Sequence, residues 1–131
     1  QYAYRQMDKI DWQPFIKAAI ERNPVSLEAL QDNTIDEVYV KLEDMPNQSI
    51  YDECRLALPD EVWNFQRGDG IEKAILLAGF IHENFPKESV SIRIHNGNVH
   101  LETDFRNYTF VTHKALEKKI CIENEEVMID D

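Results

Sequence analysis

The stretch QRGDGIEKAILLAGF, residues 66–80, constrains the fold of this chain more than any other. From Ile71 to Phe80 only Glu72 and Lys73 are charged, and Ala74, Ile75, Leu76, Leu77, Ala78, Phe80 and Ile81 leave no polar face at the helical period. A helix of that kind has to be covered on most sides in a water-soluble protein. Its start is predicted at Asp69, an N-cap aspartate that accepts from the first-turn amides while Glu72 reaches back to the N-cap backbone. The glycines on either side, Gly68 and Gly70, let the chain turn into the helix. A helix start is among the least demanding places for a side chain, so residue 70 is expected to tolerate one. This segment is expected to be the central, most buried helix.

Upstream, the chain is punctuated by prolines and polar breaks. Asp11 is placed to cap a helix carrying Phe15, Ile16 and Ile20, with Pro14 in its first turn and Pro24 ending it. Ser26 starts a short helix through Leu27 and Leu30, and Thr34 with Glu37 has capping-box spacing for a third that runs to about Asp44. Ser49 to Asp52 gives a further start, for a helix through Leu56 and Leu58 stopped by Pro59. The next segment, DEVWNFQRGDG, carries Val62, Trp63 and Phe65 at no clear period and reads as an ordered loop on the core.

Beyond Pro86 the period switches to two. Val90, Ile92 and Ile94 alternate with Ser91, Arg93 and His95, and Asn96-Gly97 supplies the left-handed residues of a tight hairpin turn. That loop pairs Ile94 with Val99 and Ile92 with Leu101 on one face and sets Arg93 opposite His100 on the other. Tyr108 to Val111 is a third strand, Ile120 to Ile122 a fourth, and the acidic end, residues 123–131, is expected to be loosely held. The resulting class is α+β: N-terminal helices and a buried central helix packed on an antiparallel meander.

Length and charge limit what such a domain does. A chain of 131 residues with 43% hydrophobic content fits one domain, residues 1–131. The 14 Lys and Arg against 25 Asp and Glu give a net charge of −11, and no basic cluster exceeds Lys118-Lys119, so nucleic acid and anionic membranes are disfavoured partners. No apolar run reaches the roughly 20 residues needed to span a bilayer. The N-terminus QYAYRQMDKIDW lacks the layout of a signal peptide, which favours the cytoplasm over secretion while leaving the compartment open. A first residue of Gln rather than Met is compatible with processing or with excision from a longer chain. The two cysteines, Cys54 and Cys121, have no metal-type spacing and read as buried thiols.

Gly68-Asp69-Gly70, then Glu72-Lys73-Ala74 and a run of Leu and Ala, resembles the G-D-C-x-x-x-A helix opening of transglutaminase-like domains, relatives of the papain-like cysteine proteases. The resemblance covers about residues 50–115. In that family a nucleophilic cysteine begins the central helix, a histidine sits on the following hairpin and an aspartate on the next strand. The matching positions here are Gly70, His100 in Val99-His100-Leu101-Glu102, and Thr112 at the end of Tyr108-Thr109-Phe110-Val111-Thr112, with Tyr108 where the family has tryptophan. Glycine offers no nucleophile, and threonine carries no charge to stabilise an imidazolium. The resemblance therefore implies a transglutaminase-like scaffold without its chemistry and without a cofactor or metal. It would be a binding or interaction module for a protein or peptide, or for another domain of a longer chain. Its groove would be lined by Trp63, Gln66, Asp69, His100 and Tyr108. Strand parity sets a condition on this reading, because His100 points away from Val99 and Leu101.

Other constellations compete with it. His95, His100, Asp104 and His113 are chemically suitable zinc ligands, although none has helical ligand spacing. Cys54 with His82 is a conceivable thiol and imidazole pair. The alternative function from these residues is a thiol- or metal-dependent hydrolase or acyltransferase in which Cys54, Cys121 or a metal replaces the missing nucleophile.

Overall fold

Asp69 opens the central helix as the spacing predicts. The computed structural model describes residues 16–17, 19–20, 24–48, 57–85, 87–112, 117–123 and 126–130. Within them, residues 16–17 and 19–20 are helical and carry the buried Ile16 and Ile20. Four further helices follow: α1 (Pro24–Leu30), α2 (Ile35–Asp44), α3 (Pro59–Phe65) and α4 (Gly70–Asn84). Five strands complete the order: β1 (Val90–His95), β2 (Asn98–Glu102), β3 (Asn107–Val111), β4 (Lys118–Glu123) and β5 (Glu126–Asp130).

Two of the expected caps are realised, Thr34 with Glu37 and Asp69 with Glu72, whereas Ser26 lies inside α1 and Asp11 and Ser49 fall outside the described residues. In α2 the Thr34 hydroxyl accepts from the Glu37 amide at 3.2 Å, and the Glu37 carboxylate accepts from the Thr34 amide at 2.8 Å. Two prolines read as helix stops are also first residues of the next helices, Pro24 in α1 and Pro59 in α3. That is the one helical position where a missing N–H and a fixed φ are harmless. The segment expected as a loop is thus largely α3. The Leu58 amide donates to Glu61 at 2.7 Å, and Gln66 at φ 55° ends the helix in the left-handed region. The helix expected from Ser49 falls mostly on residues 49–56, outside the described residues.

Every residue of α4 from Gly70 to Ile81 is buried. One side rests on β1, β2 and β3, and α1, α2 and α3 cover the others. The sheet turns Val90, Ile92, Ile94, Val99, Leu101, Tyr108, Phe110, Ile120, Ile122 and Val127 inward. Each such aliphatic side chain removed from water contributes about 2 kcal/mol, so helix and sheet face hold each other in place.

The hairpin register is the predicted one: Ile94 pairs with Val99, Ile92 with Leu101 and Arg93 with His100. Asn96 at φ 50° and Gly97 at φ 78° make the turn. The sheet is not a simple meander, because its order is β3-β2-β1-β4-β5 and β4 returns to pair with β1. Strands β1 to β4 therefore form a Greek key. The returning segment is pinned to the β1–β2 turn at both ends: Thr112 N donates to Gly97 O at 3.0 Å, and Glu117 Oε1 lies 2.8 Å from His95 Nδ1. The acidic end is also more ordered than its charge suggested. Residues 126–130 form β5 on β4, with Val127 buried and Ile129 packed against the core. Alternating Val127 and Ile129 supplies an apolar face, which the surrounding acidic residues obscured in the sequence.

Truncating Leu77, fully buried in α4, to alanine should cost 2–5 kcal/mol of the unfolding free energy measured in urea, as a cavity in a covered helix does. Val40→Ala, on the exposed side of α2, should cost little or nothing.

Candidate functional site

The opening turn of α4 is where the resemblance puts chemistry. It contains three charged residues, Asp69, Glu72 and Lys73, each no more than 2% exposed. Asp69 Oδ2 accepts from the Ile71 amide at 3.0 Å and from the Thr112 hydroxyl at 2.5 Å. Glu72 accepts from the Asp69 amide at 2.9 Å through Oε1 and from the Ala57 amide at 2.5 Å through Oε2. Lys73 Nζ donates to Met45 O at 2.8 Å. Burial lowers the Lys73 pKa, and the charges of Glu43 and Asp69 oppose that shift. Each group ties α4 to a different part of the chain, so the turn is a buried polar junction.

Gly70 sits at its centre, against the backbone of β3. A Cβ there would lie 2.1 Å from Val111 O and 2.7 Å from the Val111 carbonyl carbon. The same carbonyl accepts from Asn47 Nδ2 at 3.0 Å. The expectation that residue 70 tolerates a side chain is therefore corrected: the helix start is normally roomy, but this one is pressed onto a strand edge.

Of the three family-matched positions, two come together and one does not. Thr112 bonds Asp69, the neighbour of Gly70, through its hydroxyl. His100 is exposed on the opposite face of the sheet from α4, paired laterally with Arg93 and Thr109, its Nδ1 3.5 Å from Thr109 Oγ1. Strand parity decides this, since Val99 and Leu101 face inward and no bulge offsets the register.

The residues expected to line a groove are likewise dispersed. Asp69 is buried in the junction. Trp63 is half-buried on α3, packed against the core, and exposed Gln66 follows it, donating from Nε2 to Trp63 O at 2.6 Å. Tyr108 lies on the inner face of β3, its ring 4.7 Å from that of Tyr39 and its hydroxyl donating to Asp36 Oδ1 at 2.7 Å. Burial first, and then this bond, push the Tyr108 phenol up to about 12. The bond from Tyr108 is in turn the main cause holding the Asp36 carboxyl below its ordinary range. Arg106 reaches the same carboxylate at 3.2 Å, joining α2 to the β2–β3 loop.

The remaining candidates lie elsewhere. His95 bonds Glu117, and its Nε2 lies 3.0 Å from Asn96 Nδ2. Asp104 is exposed between β2 and β3, and His82 is half-buried in the last turn of α4. Cys121, half-buried on the outer face, has Ser91 and Met128 as lateral neighbours and borders a shallow cleft of about 190 Å³ with Ser89, Glu102 and Glu123. Cys54 and His113 fall outside the described residues.

The sequence reading missed the lateral row that crosses the outer face. Arg93 lies directly between His100 on β2 and Lys119 on β4. The signal was present in the strand parity, but it needed the β1–β4 pairing to become visible.

No protein-family model, no curated protein and no solved structure matches this chain.

Two measurements check this geometry. Gly70→Ala should destabilise by at least about 3 kcal/mol, because the opposing atom is backbone. Gly68→Ala should cost much less, its Cβ meeting only the Val62 side chain at 3.2 Å. The Tyr108 phenol is raised above its unfolded value of about 10, so its contribution to stability is intact below about pH 10 and is lost as the pH rises toward about 12. The alkaline decline in stability should therefore be shallower in Tyr108→Phe, and a tyrosine ionising near pH 12 should vanish from its ultraviolet titration.

Proposed function

We propose that this chain is a non-catalytic transglutaminase-like domain that acts as a binding or interaction module for a protein or peptide, or for another domain of a longer chain. The seat of Gly70 carries the reading. The position matching the family's nucleophile faces a main-chain carbonyl, and a Cβ would come within 2.1 Å of it, so neither a thiol nor a substrate carbonyl has room there. The helix N-terminus, whose partial positive charge would favour a thiolate, is already engaged by the Asp69 carboxylate, which accepts from the Ile71 amide. Thr112 and Asp69, which flank that position, are bonded to each other.

A thiol enzyme with a displaced nucleophile is the other reading. Cys121 has Ser91 and Met128 as its direct lateral partners and no histidine in its row, where the nearest carboxylate, Glu102, stands one strand further on beyond Ser91.

Purified protein should neither incorporate a fluorescent amine into a glutamine substrate nor cleave a peptide library. Turnover that disappears in Cys54→Ala or Cys121→Ala would replace this reading with the enzymatic one.

A further inference from the structure

The turn that joins β1 to β2 holds the chain's one Asn-Gly pair, Asn96-Gly97. An asparagine side chain closes to a succinimide when the amide nitrogen of the next residue attacks its carbonyl carbon. That reaction is fastest before glycine, which puts no side chain in the way. Three observations make this pair more than a susceptible sequence. Asn96 is exposed, and nothing but Thr112 O, at 3.6 Å, approaches the place of a Gly97 side chain. The Gly97 N–H, which supplies the attacking nitrogen, makes no hydrogen bond among the described residues. The Asn96 side-chain nitrogen, the group that must leave, lies 3.0 Å from His95 Nε2.

The imidazole is itself held in place. Its Nδ1 lies 2.8 Å from Glu117 Oε1, and a carboxylate only accepts, so Nδ1 carries the hydrogen and Nε2 of the neutral ring is left as a proton acceptor. The bond from His95 is also the main cause holding the Glu117 carboxyl below its ordinary range. A base oriented by a third group and set beside the reacting amide is the arrangement that proton transfer needs.

We propose that Asn96 is a self-modifying site, converted to aspartate or isoaspartate with His95 carrying the proton. The bond from Gly97 N to Asn96 Cγ forms, and the bond from Cγ to Nδ2 breaks. The proton lost by Gly97 N ends on the departing nitrogen, which leaves as ammonia, and His95 Nε2 is placed to deliver it. Water then opens the ring at either carbonyl, giving aspartate or, with the main chain lengthened by a methylene, isoaspartate. Nothing is oxidised or reduced, and the site is independent of the interaction-module reading.

Its place in the fold gives the change a consequence. Asn96 at φ 50° and Gly97 at φ 78° form the loop that sets the β1–β2 register, and Gly97 O accepts from Thr112 N at 3.0 Å. Aspartate fits such a turn, but its charge is brought toward Glu117, whose Oε2 lies 3.5 Å from Asn96 N. Isoaspartate adds a backbone atom to a loop whose length fixes the register, and so disturbs both strands and the returning segment. The turn is a clock that loosens the closure of the Greek key as the molecule ages.

The test follows purified protein through weeks at neutral pH and body temperature, by peptide mapping with mass spectrometry and by isoaspartyl methyltransferase labelling. Asn96 should be modified ahead of every other asparagine. His95→Gln should slow its loss several-fold, and added free imidazole should restore the rate, which a merely structural role of the ring would not allow. Chains carrying isoaspartate, separated by ion exchange, should unfold at a lower urea midpoint than fresh protein. The proposal is overturned by an intact Asn96, by earlier loss of another asparagine, by a rate unchanged or raised in His95→Gln, by the absence of imidazole rescue, or by an unshifted midpoint.

Discussion

The fold depends on satisfying the first turn of α4 out of contact with water. An aspartate, a glutamate and a lysine buried within a few residues of each other would be strongly destabilising if any lacked partners. Partners come from widely separated parts of the chain: the Ala57 amide for Glu72, the Met45 carbonyl for Lys73 and the Thr112 hydroxyl for Asp69. The connections before α3 and after α2, and the end of β3, must therefore converge on one point. Gly70 is the residue that lets them, because its missing side chain allows the edge of β3 to reach the helix. The same convergence covers an otherwise exposed strand edge, with Tyr39 donating to Thr109 O at 2.9 Å and Asn47 to Val111 O at 3.0 Å.

Features fixed by short-range chemistry were legible in the sequence. The two capping boxes, the Asn96-Gly97 turn and the β1–β2 register each depend on residues a few positions apart, and each appears where the pattern put it. What escaped was set by longer-range packing or by ambiguous punctuation. A proline ends one helix or begins the next, and only the surroundings of Pro24 and Pro59 decide which. The pairing of β4 with β1 has no local signature, so both the strand order and the Arg93–Lys119 row were hidden.

The candidate site is instructive for the same reason. A motif string matched an enzyme's helix opening through residue types and order, while its geometry depends on which face a strand turns to the helix. Parity already directed His100 away from the helix that Val99 and Leu101 cover. The Thr112–Asp69 bond and the Val111 carbonyl then give the motif residues a cohesive role within the fold. His100 stands on the opposite, polar side of the sheet.

The Greek key has a consequence for how the molecule reaches this state. Strand β1 is first of the five in the chain yet central in the sheet, hydrogen-bonded to β2 on one side and β4 on the other. Until β4 docks, Val90, Ile92 and Ile94 belong to an unprotected edge with one side of their backbone unpaired. In a chain synthesised from its N-terminus β1 exists before β4 does, and closing its edge requires a contact between segments distant in sequence. Refolding yield should therefore depend on protein concentration far more than the stability of the finished domain does.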